Sequence, residues 1–144
     1  MSAKVWGDEM VFLRAPSSRY VMKYLALLFA LVFLLFAGWQ YNDPDPLLWG
    51  AVYLIAAYVS FRAFQGRFNR EMLVVLLVWS AAWAVSSWSQ MTSYEGFFTQ
   101  GEGIAMKTPN QELAREASGL GVVAMVYALF LVVSRRSIVA SKKY

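Results

Sequence analysis

Residues 72–94 read MLVVLLVWSAAWAVSSWSQMTSY, without a charged side chain from one end to the other. A bilayer's hydrocarbon core is about 30 Å thick and a helix rises 1.5 Å per residue, so about 20 mostly apolar residues make one crossing. This run is long enough, with the crossing itself placed at 72–90. Three further stretches meet the same requirement: 21–40, whose one charge is Lys23; 46–64, with Arg62 near its end; and 110–134, apolar from Ala117 to Ser134. The pattern predicts an all-α integral membrane fold, a four-helix transmembrane bundle over 21–134. An arm at 1–20 and a basic tail at 135–144 flank it. Lys23 and Arg62 fall near span ends, where a long aliphatic stem carries the charge to the headgroups.

Composition agrees. Of 144 residues 59% are hydrophobic and 15% charged, against about a quarter charged in an ordinary soluble domain. Cysteine and histidine are both absent, which removes disulfides, thiolate nucleophiles, imidazole bases and His- or Cys-based metal sites.

Orientation follows from the basic residues, because short loops rich in Lys and Arg stay cytoplasmic. Lys4, Arg14, Arg19, Lys23, Arg62, Arg67, Arg70, Arg135, Arg136, Lys142 and Lys143 all fall on one side of a four-span chain. The opposite loops hold only Lys107 and Arg115 against six acids. Both termini are therefore expected to be cytoplasmic, in a plasma membrane of the bacterial inner-membrane kind. The net charge of +4 is a topology signal and does not point to nucleic acid.

Local signals place the helix ends. Asp45 before Pro46 suits an N-cap and first helical position, Asn69 suits the cap of the third helix, and Thr108-Pro109-Asn110-Gln111 fits a capping box. Helices in lipid associate through close backbone approach and polar contacts. Small residues therefore mark seams: Ser80, Ala84 and Ser87 on the third span, and Ala117, Gly121, Ala124 and Ala128 on the fourth. Trp39, Tyr41, Trp49 and Trp88 fall where an outer aromatic belt belongs, and Tyr20, Tyr24, Phe64 and Phe68 where an inner one does.

Two groups of residues stand apart as contact sites. Trp79 and Trp83 share one face deep in the third span, where each indole N–H needs an acceptor; Ser80, Ser86 and nearby carbonyls are within sequence reach. The long connection 89–107 carries Tyr94, Phe97 and Phe98 among glycines, a composition suited to a partner or the membrane surface.

The segment QYNDPDPLLW at 40–49, with Tyr53 after it, resembles the signature of the transmembrane protein 220 family. So does ELAREASG at 112–119. The likeness is best over spans one, two and four. It implies a four-span fold and a paired outer motif, and brings no established activity. Charge counting puts both segments beyond the same leaflet. Asn42, Asp43 and Asp45 with Glu112, Arg115 and Glu116 are thus expected to form an exoplasmic polar cap, where Arg115 can hold one acid bidentately. An all-oxygen set suits a hard cation such as Ca²⁺, and no cofactor is indicated.

No residue pattern supplies a nucleophile with an adjacent base or a phosphate-cradling loop. The expected function is that of a non-catalytic accessory or assembly subunit of a larger membrane protein complex, among lipid and other integral membrane subunits. The alternative is a membrane protein that binds a small ligand or cation at the acidic cap.

Overall fold

The computed structural model describes residues 17–97 and 108–141, with side chains described from 20 to 134 within those limits except at 42. Among the described residues four α-helices form: α1 (Ser17–Trp39), α2 (Pro46–Phe64), α3 (Arg70–Gln90) and α4 (Pro109–Ser141), with a short 3₁₀ turn at Gln40–Asn42. Each contains a stretch long and apolar enough to cross a bilayer: Tyr20–Trp39, Pro46–Phe64, Arg70–Gln90 and Pro109–Ser134. The chain divides between Arg67 and Phe68 into two compact units, one in which α1 packs on α2 and one in which α3 packs on α4.

The first hairpin turns tightly. Asp43 N–H donates to the Gln40 carbonyl (3.0 Å), and Pro44 and Pro46 prevent helix through the turn. Pro46 takes the first helical position as expected, but Asp45 makes no side-chain cap. Asp43 instead forms an Asx turn, its Oδ1 accepting the Asp45 N–H at 3.1 Å and fixing the turn ahead of the helix. Aromatic rings fill the seam. Phe33 is fully buried, with ring centroids 6.3 Å from Tyr53 and 6.4 Å from Phe36, and Phe36 meets Tyr53 edge-on at 5.5 Å. Trp49 also belongs to the buried set, 6.4 Å from Tyr53 and only 4% exposed, so it leaves the expected outer belt. Trp39, Tyr41 and Trp88 are exposed as belt residues should be.

Helix α2 ends on a Schellman motif: Arg67 N–H donates to the Arg62 carbonyl and Gly66 N–H to that of Ala63, both at 2.9 Å. Gly66 sits at φ 73°, where only glycine is unstrained. In the second hairpin the Asn69 side chain caps α3 by accepting from Met72 N–H at 3.1 Å. Thr108 Oγ1 does the same for Gln111 N–H at 3.2 Å ahead of α4.

The seam of this hairpin includes Ser80, Ser87, Ala117 and Ala124, all buried. Gly121 departs from its expected role, because a Cβ added there would meet nothing within 4 Å. It is not a point of close backbone approach. Gly121→Ala should therefore be neutral or stabilising by up to about 1 kcal/mol, from helix propensity alone. Gly66→Ala should destabilise by about 1 kcal/mol through left-handed strain, although it too has open space around it. Thermal unfolding of both variants in detergent checks the opposite signs.

Candidate functional site

The six residues of the expected polar cap are shared between the hairpins, Asn42, Asp43 and Asp45 in the first and Glu112, Arg115 and Glu116 in the second. Each half is described in its own hairpin. In the first, Asp43 is half-buried and committed to the Asx turn, while Asp45 is exposed. Asn42 is the last residue of the 3₁₀ turn; its side chain lies outside the described residues. Exposed Tyr41 and Leu47 flank the carboxylates, so the acids sit in an apolar, interface-like setting.

In the second hairpin Glu112, Arg115 and Glu116 are half-buried on the first turns of α4. Glu116 Oε2 accepts a 3.0 Å hydrogen bond from Ser87 Oγ near the end of α3, and Ser87 is 1% exposed. A carboxylate and a hydroxyl thus join the two helices where small side chains let them approach, a charge-assisted contact in a low-dielectric seam. Among the described residues no three acids gather as a group able to hold a metal ion.

Sequence reasoning missed Asn110. Its Oδ1 accepts from Thr92 N–H (3.1 Å) and Thr92 Oγ1 (3.3 Å), and its Nδ2 donates to Ser93 Oγ (3.0 Å) and Glu95 Oε1 (2.8 Å). This one side chain on the first turn of α4 pins the segment that follows α3. Hydrogen bonds from Thr108, then Asn110 and Ser93, hold the Glu95 carboxyl below its ordinary range. The signal for it was present: an amide beside a capping box, facing a run of Thr, Ser and Glu across a helix connection. The pinned segment carries Tyr94, which is exposed and meets Phe97 edge-on at 5.8 Å. Phe98 lies outside the described residues.

Trp79 and Trp83 form a T-shaped pair with centroids 5.1 Å apart. Trp79 is near the middle of α3 and 43% exposed. The expected serine acceptors do not serve its N–H. Ser80 Oγ donates back to the carbonyls of Leu76 (2.7 Å) and Leu77 (3.2 Å) in its own helix. Ser86 Oγ accepts from Gln90 Nε2, and its carbonyl from Ser89 Oγ. Among the described residues the Trp79 indole N–H has no acceptor.

A family model described as "Transmembrane family 220, helix" matches residues 32–132. No curated protein matches the chain, and no solved structure does.

Proposed function

The chain belongs to transmembrane family 220, and from that premise we propose that it is a non-catalytic accessory or assembly subunit of a larger membrane protein complex. Family membership and four bilayer-length apolar helices make it an integral membrane protein in contact with lipid. The accessory role rests chiefly on Trp79. The residue is half-exposed at the middle of a span, where no water is available, and a donor left unpaired in hydrocarbon costs about 1–3 kcal/mol. A carbonyl or hydroxyl on a neighbouring helix of another subunit supplies the acceptor and docks α3 laterally. Exposed Val75, one turn earlier on nearly the same face of α3, adds apolar surface for such a neighbour. The exposed Tyr94, on its pinned segment, offers a second contact outside the span.

A non-catalytic role accords with the composition, which provides no imidazole or thiol. The distribution of basic residues supports the reading that both termini are cytoplasmic, in a plasma membrane of bacterial inner-membrane type.

A photo-crosslinking residue placed at position 79, activated in native membranes, tests the reading. Adducts to a discrete polypeptide are expected, and the chain should migrate with a larger species in mild detergent. Trp79→Phe keeps the ring and deletes the donor, and should lower recovery of that species about threefold, as expected for a membrane hydrogen bond of about 0.6 kcal/mol. Adducts to lipid alone would overturn the proposal.

A further inference from the structure

Two cations lie within the apolar spans of the first hairpin, Lys23 on α1 and Arg62 on the last turn of α2. Reaching the headgroups explains how they are tolerated. It does not explain how they are held. Lys23 Nζ sits 5.0 Å over the Phe64 ring, and Phe64 stacks on Phe61 at 6.0 Å. Arg62 lies 5.8 Å from the centroid of Tyr58 and donates from Nη1 to its hydroxyl at 2.8 Å. Tyr58, Phe61 and Phe64 follow one another at three-residue spacing, so they form a continuous strip along the helix with one cation braced against each end. Tyr58 and Phe61 are exposed, which leaves the strip open.

Neither cation forms an ion pair among the described residues. Arg62 Nε is buried with no hydrogen-bond acceptor, and Asp43 and Asp45, the acids described in this hairpin, stand at its opposite end. Arg67, just beyond the Schellman turn, adds a third positive charge at the same end. Cations held by rings, without carboxylates and with an unmet donor, are equipped for an anion rather than balanced by one.

We propose that this end of the first hairpin is a binding site for the phosphate of an anionic phospholipid. Lys23 and Arg62 contact the headgroup and the Tyr58–Phe61–Phe64 strip lies against the glycerol and upper acyl region. A phospholipid rather than free phosphate is the occupant because both cations belong to bilayer-spanning segments and the surface between them is aromatic and apolar.

Native mass spectrometry of the purified full chain, titrated with phosphatidylglycerol or with phosphatidylcholine of the same acyl chains, tests this. Wild type should retain phosphatidylglycerol at least fivefold more tightly, about the effect of one surface cation on an anionic lipid. The pair Lys23→Gln/Arg62→Gln should bring the ratio close to one, and the charge-keeping pair Lys23→Arg/Arg62→Lys should preserve it. Millimolar inorganic phosphate should leave phosphatidylglycerol bound. Equal retention of the two lipids by wild type would overturn the proposal, as would an undiminished ratio in the glutamine pair, loss of the ratio in the charge-keeping pair, or displacement by inorganic phosphate.

Discussion

Phe33→Ala is expected to destabilise the first hairpin by about 2 kcal/mol, while Leu31→Ala, two residues away on α1, is expected to cost almost nothing. In a water-soluble core a buried Phe→Ala change costs about 3–5 kcal/mol, the sum of lost transfer free energy and a residual cavity. In a bilayer the transfer part largely vanishes, because lipid tails solvate a phenyl ring about as well as a protein interior does. The cavity and the ring contacts remain. Phe33 is fully buried and lies within 6.5 Å, centroid to centroid, of Phe29, Phe36 and Tyr53. Aromatic pairs contribute about 0.5–1.5 kcal/mol each beyond area burial, so losing part of three pairs and leaving a void gives the figure stated. Leu31 is 57% exposed, and lipid replaces whatever it loses. Unfolding by added SDS in mixed micelles reads both variants. A cost at Leu31 equal to that at Phe33 would show that this face of α1 is packed against protein.

The contrast between those two positions marks where sequence reading stops. Length and hydropathy are enough to find four spans, because the bilayer demands a minimum apolar run whatever the helices pack against. Capping by Asn69 and Thr108 was legible for a related reason, since the bond depends on a few adjacent residues. Asp45 defeated the same logic because its backbone, at φ −119° and ψ 62°, lies outside the extended region that aims a cap side chain at the first turn. Apolar composition does not distinguish a lipid-facing Leu31 from a seam-facing Phe33 when both environments are hydrocarbon. Nor does it separate Trp49, which is buried, from the belt residue Trp39. Gly121 looked like a close-approach residue by type, yet whether space exists beside it is a tertiary fact. At Trp79 the serine acceptors were correctly found nearby, but their hydroxyls engage their own helix, an outcome that sequence spacing alone cannot decide.

Asn110→Ala should free the segment after α3, and it has the largest expected effect on local dynamics. One amide holds the Thr92 backbone and the Thr92, Ser93 and Glu95 side chains, and alanine offers no substitute. Loss of the bond to Thr92 N–H alone, at about 1 kcal/mol, should speed amide exchange there by roughly fivefold. Loss of its companions should add to this, giving at least tenfold. The pH dependence has a defined sign. Thr108, Asn110 and Ser93 donate to the ionised Glu95, so its pKa is lower in the folded segment than in the released one. That contribution is fully present above the ordinary carboxylate value, and it is lost as the pH falls through the depressed folded value. Protection of Thr92 should therefore be constant around neutral pH, begin to fall as the pH approaches the ordinary carboxylate value, and level off once it is below the depressed folded value. Glu95→Gln should remove this acid step while leaving Asn110 bound to Thr92 and Ser93. Hydrogen exchange followed by mass spectrometry across 91–97 measures both effects. Exchange in Asn110→Ala equal to wild type would mean that the segment, with the exposed Tyr94 on it, is ordered by something other than this amide.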